Sequence, residues 1–253
     1  MGIQQSNKQF KEGAVHSAPY LYEQKHAHVS LPVDKEQALR FMGYSGQVLT
    51  ADLESRFQQM VKKCGDITKA SYVWRLFDIE SISSQAVILK NNQLVLEGAS
   101  IANHLEGALQ VVLLGATLGL ANEREAHALA SVNSLDALLF NACSNALIEQ
   151  VADLAQNEIN DWAKERGLFA KMRFSPGYGD LPLTIQPQFL KVLGAQKSIG
   201  LHVLPTNILV PMKSITAIVG LFDYEIDTSF VSCKQCAAFE FCSYREKGII
   251  CHG

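Results

Sequence analysis

The sequence predicts an α+β fold, with a twisted, mainly antiparallel sheet and flanking helices. Helical and strand patterns are interspersed along the chain without the regular strand–helix–strand alternation of a parallel sheet. One segment has the pattern of a β-hairpin, and 48% hydrophobic with 19% charged residues is the composition of an ordinary folded domain. A chain of 253 residues buries about 70–75% of its unfolded surface when it folds, so its core needs no disulfide framework.

The first elements are two helices. Asp34 is a predicted N-cap for a short helix that ends at Gly43. A second helix is expected to begin at Thr50 or Asp52 and to end at Gly65, with apolar residues at helical spacing between them.

Strand patterns follow from residue 71. The stretch SYVWRLFDIE is rich in β-branched and aromatic residues, and SQAVILKNNQLVLEG predicts a hairpin that turns at Asn91 and Asn92. A short helix from Ser100 and a buried strand in ALQVVLLGATLG come next. Residues 121–162 predict one long or broken helix, QPQFLKVLGAQKSIG another helix, and LVPMKSITAIVGLFDY a strand pair.

Three regions are expected along the chain: a polar N-terminal arm over residues 1–30, one domain over 31–230, and a cysteine-rich segment over 231–253. The net charge of −3 and the pI near 6.2 argue against nucleic acid as a partner. The longest apolar run is too short for the ~20 residues of a membrane span, and the N-terminus lacks the apolar core of an export signal. We therefore expect a cytoplasmic protein with no membrane partner.

The cysteines divide into two groups. Cys64 and Cys143 stand alone in helix-like segments and are interpreted as small core residues. The other four are clustered near the end of the chain, where a reducing compartment disfavours disulfides and four thiolates suit zinc or an iron–sulfur cluster. These predicted metal ligands are Cys233, Cys236, Cys242 and Cys251. Free or redox-active thiols are the alternative.

The segment RFSPGYGDLP, residues 173–182, is unusual because it has two prolines and two glycines in ten residues. Pro176 and Gly177 suit the central positions of a type II turn, and glycine lets a ligand approach the main chain. Arg173 can hold a carboxylate through two parallel hydrogen bonds, and Tyr178 offers a flat apolar face. Such a loop suits a small zwitterionic ligand related to an amino acid. The alternative is a structural turn that carries a surface arginine.

The same segment carries a family resemblance. RFSPGYGDLPL, a following helix, KSIG and NILVPMKSITAIVGL together resemble the C-terminal activation domain of cobalamin-dependent methionine synthase, and in particular its stand-alone relatives. The shared features are the R-x-[A/S]-P-G-Y loop, an IG pair about 22 residues after the tyrosine, and a P-x-x-S-[IV] strand. The resemblance is specific over about 50 residues and extends collinearly from about residue 34 to 230.

The resemblance implies a domain that binds S-adenosylmethionine in a shallow groove and docks on a cobalamin-carrying protein whose cobalt has been oxidised to Co(II). By this resemblance Arg173 holds the carboxylate of the ligand's methionine part, and Glu149 fixes its amino group. The other implied ligand-binding residues are Ser175 through its main chain, Gly177, Tyr178 and Tyr224. Asp153 lies one helical turn after Glu149, whereas Asp136 is roughly 140° away around a straight helix.

The function predicted from these features is reactivation of a corrinoid methyltransferase by reductive methylation. S-Adenosylmethionine is the expected methyl donor, and a separate protein carries the cobalamin. The terminal cysteines would hold either an iron–sulfur cluster that passes an electron to cobalt or a zinc ion that shapes the docking surface. An external electron donor is the other possible source of the electron. One alternative is a non-catalytic binding module or chaperone for a corrinoid protein. Another is a thiol redox protein that uses Cys233 and Cys236.

Overall fold

The computed structural model describes residues 29, 31–44 and 46–226. The predicted arm, apart from Val29, and the four terminal cysteines lie outside the described residues. The helices are α1 Lys35–Phe41, α2 Ala51–Ile67, α3 Ala99–His104, α4 Gly119–Val132, α5 Ser134–Lys164, α6 Gln186–Leu193 and α7 Ala195–Ile199. The strands are β1 Ser71–Ile82, β2 Ala86–Leu89, β3 Val95–Glu97, β4 Gln110–Thr117, β5 Phe169–Ala170, β6 His202–Val203, β7 Leu209–Val210 and β8 Ser214–Phe222.

Six strands form one antiparallel sheet in the order β3-β2-β1-β4-β8-β5, and β6 pairs with β7 in a separate ribbon. This arrangement confirms the predicted α+β class with its antiparallel sheet. Helices cover both faces. Successive strand residues point to opposite faces, so Trp74 and Leu114 pack with α1, α2 and α5, whereas Val73 and Leu113 pack with α3, α6 and α7.

The predicted helix starts are confirmed by side-chain caps. Asp34 accepts a hydrogen bond from the Gln37 amide at 2.9 Å, and Thr50 accepts one from Leu53 at 3.3 Å. Helix α2 continues two residues past Gly65, where its end was predicted. Its last turns bury Cys64 against the core, and this packing outweighs the low helix propensity of one glycine.

The segment predicted as one long or broken helix is broken, and the later helix, predicted as one, is divided in two. The 121–162 segment breaks at Asn133, whose side chain accepts from the amides of Leu135 and Asp136 and so begins α5. The later helix breaks at Gly194, which adopts a left-handed conformation with φ +73° between α6 and α7.

The predicted hairpin is confirmed: β2 and β3 are antiparallel, and Asn91 lies in the turn with φ +60°. The predicted strand pair in 209–224 is wrong in its pairing. Strand β7 pairs with β6, while β8 lies between β4 and β5. Residues 216–222 of β8 are all buried, and the strand is interior because it pairs with β4 on one side and β5 on the other. Within the described residues, no helix is long and apolar enough to cross a bilayer.

Candidate functional site

The candidate site lies at one edge of the sheet, where residues 169–174 run alongside β8. Phe169 and Ala170 of β5 pair with β8, and the pairing continues at the next residue, where the Lys171 amide donates to the Gly220 carbonyl at 2.9 Å. Phe174 and Ile218 then exchange two backbone hydrogen bonds of 2.9 and 2.8 Å. These bonds fix the backbone on both sides of Arg173, next to helix α5.

Arg173 is held between two carboxylates of α5. Its Nη2 donates to Asp153 Oδ1 at 2.7 Å and lies 3.7 Å from Glu149 Oε2. The arginine side chain is 15% exposed, whereas those of Glu149 and Asp153 are 41% and 59% exposed. This Arg173 cluster (Arg173, Glu149 and Asp153) therefore has one sheltered positive and two solvent-facing negative charges, a net charge of −1.

The 173–182 loop has the predicted tight geometry. The Tyr178 amide donates to the Ser175 carbonyl at 2.9 Å, and Gly177 has φ +96°, which confirms a type II turn centred on Pro176 and Gly177. A further bond of 2.8 Å runs from the Gly177 amide to the Leu181 carbonyl. The loop is thus closed by its own backbone.

The loop is also attached to helix α3 by Asp180. This carboxylate accepts from the amides of Ser100 at 2.9 Å and Ala99 at 2.7 Å, and these bonds lower the pKa of Asp180. Gly179, at φ +52°, packs so closely on α3 that a Cβ there would lie 2.4 Å from Ser100 Oγ. A side chain at this position would push the loop away from α3.

Aromatic rings extend from the loop. Phe174 contacts His104 in a tilted arrangement, with ring centroids 5.0 Å apart, and Tyr178 edge-to-face, with centroids 5.8 Å apart. Tyr178 is 54% exposed, so its ring offers an apolar face to solvent. The His104 Nε2–H donates to the Met172 carbonyl at 3.0 Å. Burial, with a smaller contribution from Lys171, lowers the pKa of His104 to about 4, so the ring is neutral at pH 7.

Tyr224 lies elsewhere on this edge. It packs edge-on against Phe222 at 5.5 Å, and its hydroxyl occupies the space above Gly107. Because Phe222 pairs with Phe169 in the sheet, Tyr224 follows β8 near the start of the 169–174 segment, whereas Tyr178 comes after the end of that segment. The structure places Glu149 beside Arg173 and places Ser175, Gly177 and Tyr178 in the turn that follows Arg173 in the chain. The roles of these residues and of Tyr224 in ligand binding stay predictions.

Sequence reasoning did not include Asp153, Asp180 and His104 in the site. The i, i+4 spacing to Glu149 was a usable signal for Asp153, since such residues are neighbours on a helix. Asp180 and His104 act through contacts with residues 68 to 81 positions away, and no local pattern indicates them.

Cys64 and Cys143 are buried core residues, as predicted, and burial raises the pKa of Cys143 to about 12. Among residues 29, 31–44 and 46–226, no group of three metal-ligating side chains is assembled. The predicted set of Cys233, Cys236, Cys242 and Cys251 is outside these ranges, so the metal site stays a prediction.

The fold is similar to that of a crystal structure of the MetH reactivation domain bound to AdoHcy. The TM-score is 0.56 at 13% sequence identity, over 83% of this chain and 80% of that one. The chain matches no known protein-family profile and no curated protein sequence. The likeness confirms the activation-domain-like fold predicted from the sequence.

Proposed function

We propose that this protein binds S-adenosylmethionine at the Arg173 cluster and supplies its methyl group to a corrinoid carried by a separate protein. The observation that carries the proposal is a sheltered guanidinium between two exposed carboxylates, beside a rigid glycine–proline loop with an exposed tyrosine ring. The fold shared with a reactivation domain that was crystallised with AdoHcy, S-adenosylhomocysteine, gives independent support.

Charge complementarity favours this ligand. S-Adenosylmethionine carries a carboxylate, an ammonium and a sulfonium, a net charge of plus one, and the Arg173 cluster has a net charge of −1. The ligand's carboxylate takes the place of Asp153 on the guanidinium. Asp153 and Glu149 are then available for the two positive groups of the ligand.

The same charges favour release of the product. Loss of the methyl group converts the sulfonium to a neutral sulfide, so S-adenosylhomocysteine has no net charge. The Arg173 cluster then has one more negative charge than its ligand can neutralise. We therefore expect the methyl donor to bind more tightly than the product.

In the transfer itself, one electron from a low-potential donor first reduces Co(II) to Co(I). The methyl–sulfur bond then breaks as a methyl–cobalt bond forms, and the electron pair of the broken bond stays on sulfur. No proton moves in this step, so the chain's residues do not need to act as acids or bases. Their contribution is to hold the sulfonium methyl group in a fixed position towards the docked partner.

The four terminal cysteines are proposed to bind an iron–sulfur cluster that delivers this electron, or a zinc ion that shapes the docking surface. Anaerobic purification followed by analysis of iron, labile sulfide and zinc tests this part. A brown protein with iron and sulfide supports the cluster, and stoichiometric zinc supports the structural role. A colourless, metal-free protein that cycles between dithiol and disulfide contradicts both and supports the thiol alternative.

Calorimetric titration with S-adenosylmethionine tests the binding site. The matched control is Arg56, because this arginine also lies between two carboxylates, Asp52 at 3.3 Å and Asp136 at 3.2 Å. We expect one-to-one binding that Arg173→Ala weakens by about 100-fold or more, since the loss leaves the ligand's carboxylate without its charged partner. Arg56→Ala is expected to stay within about twofold of the parent.

Two results would contradict the proposal. Equal affinities for the parent and Arg173→Ala would place the ligand elsewhere on the protein. The absence of any binding to the parent protein would favour a non-catalytic module that recruits or chaperones a corrinoid protein. Thermal unfolding of both variants distinguishes a lost site from a lost fold.

A further inference from the structure

A second candidate site lies away from the Arg173 cluster, in a cleft of about 560 Å³ between strand β1, helices α6 and α7, and strand β6. It opens on the sheet face that α3, α6 and α7 cover. Strands β4 and β8 separate β1 from the edge that carries Arg173. A volume of this size is within the range of about 300–1,000 Å³ typical of small-molecule sites.

The cleft is strongly basic. Its lining includes Arg75, Lys191, Lys197 and His202, and no aspartate or glutamate is among the residues that form it. This contrasts with the whole chain, whose net charge is −3. Among the described ion pairs, none joins either lysine to a carboxylate.

The basic residues come from four different elements. Lys191 is in the last turn of α6, where the helix dipole favours a cation, so helix stability alone explains this one of the four basic residues. The others come from β1, α7 and β6, which converge on the cleft without being neighbours in sequence. Their common feature is the positive potential that they create inside a concave surface.

The arginine at the base of the cleft is held in position. Arg75 extends from β1, and its Nη1 donates to the Val192 carbonyl at 3.0 Å. The left-handed turn at Gly194 brings the backbone next to the guanidinium, since a Cβ at Gly194 would lie 3.5 Å from Arg75 Nη2. A fixed guanidinium loses less freedom on binding an anion than a mobile side chain does.

Part of the cleft lining is apolar. Pro187 is exposed and Val203 half-buried, and these two form the apolar wall; Leu190 and Leu201 also line the cleft but are themselves buried. A bare inorganic anion would leave this surface exposed to water, whereas a ligand with an apolar ring would cover it. The combination of three cations, one imidazole and an apolar wall suits a phosphorylated organic molecule of nucleotide size.

We propose that this basic cleft (Arg75, Lys191, Lys197, His202 and the apolar wall) binds a nucleotide-sized organic phosphate. The proposal is independent of S-adenosylmethionine binding, because the two sites share no residue. Lys191 and Lys197 reach the phosphates from the two short helices, Arg75 supports them from the sheet, and the apolar wall takes the organic part.

Calorimetric titration with ADP, without divalent cations and at about 0.1 M salt to screen distant charges, tests the proposal. The test variant is Lys191→Gln with Lys197→Gln. The control is Lys62→Gln with Lys164→Gln, which changes the net charge equally at two exposed lysines outside the cleft. We expect saturable one-to-one binding that the test variant weakens by about tenfold or more and the control changes by less than about twofold.

Inorganic pyrophosphate is the second probe. It is expected to bind at least about tenfold more weakly than ADP, because it cannot cover the apolar wall. Equal affinity for the two probes would overturn the assignment of an organic ligand. The absence of saturable ADP binding, or equal weakening in both double variants, would overturn the site itself. Both pairs change exposed side chains, and circular dichroism confirms that each variant is folded.

Discussion

Two arginines of this protein have nearly the same ionic partners and very different surroundings. The Arg56 cluster (Arg56, Asp52 and Asp136) and the Arg173 cluster each place one guanidinium between two carboxylates, and α5 contributes to both. Arg56 is 37% exposed and joins α2 to α5, whereas Arg173 is 15% exposed and belongs to a loop fixed by backbone hydrogen bonds.

The two clusters differ in the surroundings of their ion pairs and not in the kind of ion pair. At Arg56, two helices pack against each other and the charges link them, which contributes about 1 kcal/mol or less to stability at an exposed position. At Arg173, the cation is sheltered while the carboxylates face solvent, and the exposed Tyr178 follows in the same loop. The 173–182 loop is therefore what distinguishes the candidate site from a structural ion pair.

The largest expected effect comes from disturbing that loop. Gly179→Ala would place a Cβ 2.4 Å from Ser100 Oγ at a positive φ, which we expect to cost about 2–3 kcal/mol of stability. It should also weaken S-adenosylmethionine binding by more than about tenfold, because Arg173 and Tyr178 are displaced. Chemical denaturation and calorimetric titration measure the two effects.

Gly43→Ala is the matched control, since Gly43 has φ +77° but a Cβ added there would meet no other atom within 4 Å. We expect a cost of about 1 kcal/mol from backbone strain alone, with binding unchanged. If the two alanine variants lost the same stability and both bound the ligand normally, the close contact between the loop and α3 would have no part in the site.

The next effect concerns selectivity by charge. Asp153→Asn removes one negative charge from the Arg173 cluster, so the preference for S-adenosylmethionine over S-adenosylhomocysteine should fall by about tenfold. Asp136→Asn removes the same charge beside Arg56, and its preference for S-adenosylmethionine should stay within about twofold of that of the parent protein. Dissociation constants of both ligands for both variants measure it. An equal change of preference in the two variants would contradict a local role for Asp153.

The smallest effect is on pH dependence. The pKa of His104 is about 4 in the folded protein and about 6.5 when the chain is unfolded. Between these values the unfolded state binds the proton, so stability should fall as the pH is lowered from about 6.5 to about 4, by at most about 3.4 kcal/mol. Denaturation midpoints across this range for the parent and His104→Gln measure the contribution.

His127→Gln, which removes an exposed imidazole, is the control for this series. The His104 variant should lose part of the decline below pH 6.5, and the His127 variant should not. A decline of the same size in the parent and in His104→Gln would show that the His104 imidazole, which contacts Phe174 of the 173–182 loop, does not titrate on unfolding.

The sequence predicted those features that depend on neighbouring residues. The caps at Asp34 and Thr50, the turn at Asn91, and the type II turn at Pro176 are all determined within about four positions. For the same reason the unusual character of the 173–182 loop is visible in its sequence without any knowledge of its surroundings.

Features that depend on distant residues were missed or wrong. Strand β7 pairs with β6 and not with β8, because β8 pairs with β4 on one edge and with β5 on the other. The attachment of Asp180 to α3 joins residues about 80 positions apart, and the position of Tyr224 follows from the register of β5 on β8. Tertiary packing decides these features, and local patterns do not contain it.

The central claim is that Arg173 exchanges an internal carboxylate for that of the ligand. A crystal structure of the protein with S-adenosylmethionine tests this most directly. The account predicts that the ligand's carboxylate lies about 3 Å from Arg173 Nη2, where Asp153 Oδ1 now lies at 2.7 Å, with Asp153 and Glu149 facing the ammonium and sulfonium. A complex in which Arg173 keeps its bond to Asp153 and the ligand lies elsewhere would contradict it.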